Sequence, residues 1–281
     1  MIRTLLGIAV ATAMFVPVAG AKSAKLVPLR VADYEVTFAP DAAWTVATLS
    51  HRGEPVIVRT GANQTALNRK VPQQSGPEAF IGSGHGGEEI LSITLTADGK
   101  AVSDPAKAPP AKEYVFEKKS RIGPVLNHTR TVLNAEGLGQ TVTITPEGDA
   151  GIVRYFYLFM HCFTPEATEW HAILADRRPI SDAFPAQKEN SLKEDVHGFA
   201  LYVPGSGKGI AVTYPEAYVG QEGYSNTLIN WPGRHNKHYF RVTPEQAFSK
   251  TYRCWVEVFE AQPNEWKQKA AATIEARQAK P

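Results

Sequence analysis

Several stretches of the sequence gather side chains able to move protons or grip a polar ligand. In FIGSGHGGEE, residues 80–89, His85 stands among glycines that expose it and let a ligand approach the backbone. In YFYLFMHCFTPEATEWHA, residues 155–172, His161 closes an aromatic run and is followed by Glu166, Glu169, Trp170 and His171. A histidine at the end of a buried strand, beside carboxylates, suits general acid or base work near neutral pH. Trp170 offers a flat face for the apolar side of a sugar ring.

Two further groups have the same character. In VLNHTRTVL, alternation sends His128 and Arg130 to one face of a strand, with Asn127 and Thr129 on the other. There Arg130 suits a carboxylate held through two parallel hydrogen bonds, with His128 assisting; if that face meets water, it is an ordinary solvated surface. GYSNTLINWPGRHNKHYF, residues 223–240, collects Tyr224, Asn226, Trp231, Arg234, His235 and His238. His235 and His238 would chelate a metal only on a helix. Trp-Pro-Gly argues against one and no third ligand is evident, so the expectation is a polar, aromatic-bearing loop beside a groove, without metal.

The run GSGHGG also fits G-x-G-x-x-G, the pattern of a dinucleotide-binding turn. That turn must open a helix whose N-terminus holds the phosphates. Here it runs into EEILSITLTADG, which is strand-like, and two glutamates occupy the place of the anion. PGSGKG at 204–209 lacks the spacing and the trailing Ser/Thr of a phosphate loop. No nucleotide and no other cofactor is expected.

The elements that must position these residues read as short strands. ILSITLTADGK puts Leu91, Ile93 and Leu95 on one face; TVTITPEGDAG repeats the arrangement; FALYVPGSGKGIAVTYP is a hairpin around Gly205-Ser206-Gly207; TYRCWVEVFEA aligns Tyr252, Cys254, Val256 and Val258. Such period-2 runs predict antiparallel sheets with one wetted side. The good helix candidate is the tail, NEWKQKAAATIEARQAK, with Asn264 as N-cap. Residues 103–113 read as a proline-rich loop and 176–195 as an irregular surface excursion. The fold class is all-β, a sandwich with a short C-terminal helix.

The chain opens MIRTLLGIAVATAMFVPVAGAKSA: a basic residue, an apolar run too short for the roughly 20 residues that span a bilayer, and small residues at a cleavage site. Residues 1–21 therefore read as a secretory signal peptide and 22–281 as a single β-sandwich domain, periplasmic or secreted, with no membrane span after cleavage. A net charge of +2 gives no electrostatic case for nucleic acid. Cys162 and Cys254 can pair in an oxidising compartment or stay as buried thiols, and the sequence leaves both open.

With these residues in hand, the sequence resembles the galactose mutarotase-like superfamily. Asn68-Arg69 is similar to the Asn-Arg of aldose epimerases, and His85-Gly86-Gly87 to their His-Gly-Gly; His161 ends a strand at a comparable distance onward. GIAVTYPEAY and HYFRVTPEQAFSKTYRCWVEVF resemble their closing strands. The resemblance implies an antiparallel β-supersandwich with a carbohydrate groove on one concave sheet. It implies His161 as general acid and Glu216 as base, with His85 and Arg69 orienting the sugar.

Three functions follow as expectations. One is an exported carbohydrate-active enzyme of mutarotase type. Another is a polysaccharide lyase acting by β-elimination on a uronate-containing glycan. There Arg130 or Arg234 would neutralise the carboxylate, His128 or His161 would be the base, and Tyr155 or Tyr224 the acid. The last is a carbohydrate-binding module without chemistry. The partner in each case is a mono-, oligo- or polysaccharide, bound with help from Trp170, His171, Tyr224, Trp231 and Arg234.

Overall fold

The computed structural model describes residues 25–70, 80–215, 217–218 and 225–280. Strands account for most of it. The chain starts with a meander of β1 (Val27–Val31), β2 (Tyr34–Ala39), β3 (Thr45–His51), β4 (Glu54–Arg69) and the short β5 (Phe80–Gly82). It continues through β6 (Glu88–Ala97), β7 (Lys100–Val102), β8 (Glu113–Ile122), β9 (Val125–Asn134) and β10 (Gly137–Pro146). Then come β11 (Val153–Phe163), β12 (Glu169–Leu174), β13 (Pro179–Ala183), β14 (Glu189–Glu194), β15 (Val196–Val203) and β16 (Lys208–Thr213). The chain closes with β17 (Asn226–Trp231), β18 (His235–Val242), the helix α1 (Pro244–Ser249), β19 (Tyr252–Glu260) and the helix α2 (Trp266–Gln278).

These strands form two antiparallel sheets. The first runs β1-β2-β3-β4-β11-β18-β17-β14, with β5 added beside β4; the second runs β13-β12-β15-β16-β19-β10-β9-β8-β6-β7. The register explains the layering. Along β9, Asn127, Thr129 and Thr131 are buried while His128 and Arg130 alternate outward. Across the gap, the Gln64 amide donates to Thr131 (2.6 Å) and the Thr65 hydroxyl to Asn127 (2.9 Å), so polar as well as apolar side chains tie the sheets together. Around them lies one apolar core that draws Val36, Leu49, Phe156 and Leu158 from the first sheet and Leu138, Val142, Phe199 and Val256 from the second.

Local departures from the sequence reading have identifiable causes. A bulge between Ile90 and Ser92 turns Leu91 out to 44% exposure, off the face it was expected to share with Ile93 and Leu95. Residues 176–195 are not irregular, because β13 and β14 form there as edge strands. The tail helix begins one residue later than expected, with Glu265 rather than Asn264 at its N-cap. Helix α1 went unread although Thr243-Pro-Glu-Gln246 is a capping box, with the Thr243 side chain and Gln246 satisfying each other's backbone. Both cysteines are buried, and no disulfide joins them.

Candidate functional site

The glycine turn is built by backbone need. Gly82 has φ +125°, and a Cβ there would lie 2.7 Å from the Thr65 carbonyl oxygen and 2.9 Å from the Ala66 Cα. Gly84, Gly86 and Gly87 also hold positive φ, a region closed to most side chains. The Gly82 N–H donates to Gly86 (2.8 Å) and the His85 N–H to Gly82 (2.9 Å), which closes the turn and leaves His85 exposed at its tip. The His85 ring lies 5.8 Å from Phe80. Partial burial, and then the nearby Lys237 charge, push its pKa below the ordinary value, so it is neutral at pH 7.

A strut sits beneath the turn. The Lys118 ammonium, sealed in the sandwich, reaches Glu88 at 2.8 Å, the Ala43 carbonyl at 2.8 Å and the Ser83 hydroxyl at 3.3 Å. Burial pushes the Lys118 pKa down while Glu88 opposes that shift. The glutamate that follows the glycines therefore anchors the turn from inside. As expected, a strand and not a helix follows them.

Next to the turn, the outer face of the first sheet carries rings and cations. Along β11 Tyr155 and Tyr157 face outward, alternating with Phe156 and Leu158 in the core; along β18 Lys237, Tyr239 and Arg241 alternate with buried His238, Phe240 and Val242. Tyr157 meets Phe80 (5.3 Å), Tyr155 (5.3 Å) and Tyr239 edge-on (4.8 Å). Burial, then Tyr155 and Tyr239, raise the Tyr157 hydroxyl pKa far above the ordinary value, so it stays a hydrogen-bond donor at every physiological pH. Arg154 and Arg241 lie over the Tyr155 ring at 5.3 and 5.2 Å. Asn190, Lys193, Thr227, Tyr239 and Arg241 line a cavity of about 240 Å³ on this face. At the far end of β18, Trp231 stacks on His235 (5.1 Å), with Arg234 and Lys188 over its ring.

The other residues singled out in the sequence lie elsewhere. Phe159 has φ +50° and a bulge interrupts the β11–β18 register between Leu158 and His161. The extra residue exchanges the two faces of the strand, so His161 points into the core instead of sharing the outer face of Tyr155 and Tyr157. It is 1% exposed, its Nε2 donates to the Gln140 side chain (2.6 Å), and burial pushes its pKa down to about 3. Beside it, His238 Nδ1 donates to the Phe159 carbonyl (3.1 Å), which leaves Nε2 facing the Tyr214 hydroxyl at 2.9 Å. His235 and His238 therefore point to opposite faces of β18.

Trp170 lies in the core and His171 packs edge-on to Trp266 (6.1 Å) under α2, so neither is a sugar platform on the first sheet. His128 and Arg130 face outward from the second sheet, where Arg130 lies 3.6 Å from Glu117. Arg69 ends β4, opposite Val153, one residue from Asn68, which pairs with Phe80 and Tyr155. Glu216 and Tyr224 lie outside the described residues. Among the described residues, no group of three or more His, Cys, Asp or Glu side chains is placed to hold a metal.

No protein-family model matches the sequence, and no curated protein matches it. Solved structures do. The α-N-acetylgalactosaminidase NagBb of Bifidobacterium bifidum, as a quadruple mutant, superposes with a TM-score of 0.57 at 7% identity, over 89% of this chain and 39% of that one. Its GalNAc complex gives 0.55 at 7% identity, with the same coverage. A galactose mutarotase-like protein from Clostridium acetobutylicum gives 0.50 at 8% identity, over 83% of this chain and 94% of that one. The fold is galactose mutarotase-like.

Within this mutarotase-like fold, the expected architecture stands: two antiparallel sheets and a short C-terminal helix. The present chain spans about two fifths of the glycosidase chains it resembles. Of the residues carried over from the family, His85 sits at the tip of its turn beside the rings of the first sheet, while His161 is turned away from them. Sequence reading took in the tyrosines of residues 155–172 but passed over Phe80, Lys237, Tyr239 and Arg241. The usable signal was the alternation Lys237-x-Tyr239-x-Arg241 in HNKHYFRV, which marks one wetted face of a strand.

Proposed function

We propose that this chain is an exported carbohydrate-binding protein that holds its ligand on the outer face of the first sheet, around Tyr157 and Tyr239, with His85 at the rim. The observation that carries the reading is the open cluster of Phe80, Tyr155, Tyr157 and Tyr239 beside an exposed, neutral histidine. Such rings present flat apolar surface, and their hydroxyls and neighbouring cations present directed donors, which together suit a sugar. The fold agrees with this reading without choosing it. Export is supported by the N-terminal sequence, in the notation of a basic, an apolar and a small-residue region.

Mutarotase chemistry does not run through His161 in this reading. A general acid must reach the sugar's ring oxygen, and a histidine sealed against Gln140 with a pKa of about 3 can neither reach it nor hold the proton. The test is proton NMR of the mature protein with a panel of free sugars and uronate-containing polysaccharides. Saturation transfer to a saccharide, lost in Tyr157→Ala and retained in His161→Gln, is the expected result. Accelerated anomer exchange that needs His161 would overturn the non-mutarotase part. Signals of an unsaturated uronate would make the protein a lyase, and silence across the panel would remove carbohydrate as the ligand.

A further inference from the structure

We infer that the outer face of the first sheet selects an acidic oligosaccharide, laid lengthwise along β18, over a neutral or single sugar. The inference rests on the carbohydrate reading above and names its ligand class. Its basis is a stripe of alternating rings and cations. Lys237, Tyr239 and Arg241 project from β18 at two-residue steps, about 13 Å at about 3.3 Å per residue, and the Trp231 ring stacked on buried His235 extends the stripe beyond them. That is longer than one pyranose ring.

Rings occur along the whole stripe, and cations lie over those at its two ends. At one end the Trp231 ring has Lys188 Nζ at 4.2 Å and the Arg234 guanidinium at 5.0 Å. At the middle, Lys237 lies near enough to His85 to lower its pKa, next to Tyr239 and Tyr157. At the other end Arg154 and Arg241 flank Tyr155. None of Lys188, Arg234, Lys237 or Arg154 is ion-paired with a described residue, although Arg30, Arg52, Arg121, Arg130, Arg178 and Arg277 are, as are Lys208 and Lys280. The carboxylates of the edge strand, Glu189 and Glu194, are not among the residues lining the cavity at Tyr239.

The physics favours an anion. Cations held over rings keep their orientation, and Lys188, Arg234, Lys237 and Arg154, with no described carboxylate partner, raise a positive potential along the face. A neutral saccharide would stack on the rings but leave that potential unanswered. A saccharide bearing carboxylates or sulfates answers both, with charge-assisted hydrogen bonds to the guanidinium and ammonium groups. Uronate and sulfate share this chemistry, and the test separates them.

The experiment is calorimetric titration of the mature protein with a short oligogalacturonate, a heparin-derived oligosaccharide, a cello-oligosaccharide of matched length and free galacturonate. It is run at low and high salt, with polyglutamate as a non-sugar polyanion. We expect at least one acidic oligosaccharide to bind tenfold or more tighter than both the neutral oligomer and the free sugar acid, and to weaken as salt rises. Binding of the heparin fragment alone would assign sulfate as the anion; binding of the oligogalacturonate would assign carboxylate. The double variant Arg154→Gln, Lys237→Gln should lose that tenfold preference while Tyr157-dependent stacking of the neutral oligomer survives, with circular dichroism showing that the variant is folded. Trp231→Ala should weaken the oligomer and not the monomer.

Equal affinity for neutral and acidic oligomers without salt dependence would overturn the inference and leave the carbohydrate reading intact. Equal affinity of monomer and oligomer would overturn the lengthwise placement. Polyglutamate binding as tightly as the sugars would also overturn it, since charge alone would then be read. Failure of every saccharide to bind would remove the carbohydrate reading and this inference together.

Discussion

Both sheets turn rings and cations outward, but on the second sheet α2 covers those of β12, β15, β16 and β19. There α2 lays Trp266 and Ala270 against Ala200, Tyr202 and Ala211, with the Trp266 and Tyr202 rings stacked at 5.1 Å. Gly198 permits the approach, since a Cβ on it would lie 2.9 Å from Ile274. Charges are settled in the same way. Arg277 lies over Trp255 at 4.2 Å and bridges to Glu136 (2.9 Å) and Glu257 (3.2 Å), while Lys280 bridges to Glu136 (2.7 Å). On the first sheet the rings of Tyr155, Tyr157 and Tyr239 remain partly exposed, and Lys237 and Arg154 have no described acidic partner. The lesson is that residue type does not locate a binding face; what the rest of the chain leaves uncovered does.

That contrast can be broken or sharpened by experiment. The largest expected effect is on the covered face: Trp266→Ala should destabilise the protein by about 3–5 kcal/mol in denaturant titration, as for other buried large-to-small changes. The protein that remains folded should bind saccharide unchanged. A loss under about 1 kcal/mol would mean that α2 does not seal the second sheet. On the open face, Tyr157→Ala should weaken binding roughly 30-fold, a ~2 kcal/mol effect of the size that anchoring aromatic residues show. Trp255→Ala on the second sheet should leave Kd unaltered; equal losses in both variants would dissolve the distinction between the faces.

The core beneath both faces makes its own prediction. His161 has a folded pKa of about 3 against an ordinary 6.5, so the unfolded chain binds more protons between those values. Its contribution to stability is therefore present above pH 6.5 and lost as pH falls toward 3, by up to about 1.4 kcal/mol per pH unit. The buried His238 shifts in the same direction. Chemical denaturation from pH 7 to 4 should show a shallower loss in His161→Gln than in the parent; identical slopes would place His161 in contact with water after all.

A titration of the opposite sign belongs to Asp195, just before β15. Burial raises its pKa to about 7 from 3.8, partly offset by hydrogen bonds from backbone N–H groups and by Lys250. Here the folded form binds more protons, so the contribution is full below pH 4 and declines as pH rises through 7. It has the opposite sign to that of His161. In Asp195→Asn the decline should disappear, read as a stability difference from the parent that narrows on acidification. A difference that stays constant across that range would mean the carboxyl titrates normally.

Much of this protein is legible in its sequence because strand alternation is local. The outward placement of His128 and Arg130, the inward placement of Tyr252, Cys254 and Val256, the β15–β16 hairpin and the alanine-rich tail helix all follow from side chains a few residues apart. Likewise the strand after GSGHGG ruled out a dinucleotide turn without any coordinates. What the tertiary structure alone decided is which of several equally polar, equally aromatic segments meets a ligand. One bulge at Phe159 turned His161 into the core, and one helix arriving from the end of the chain covered His171. Both outcomes depend on register and on contacts between residues far apart in sequence, and no periodicity within a segment carries that information.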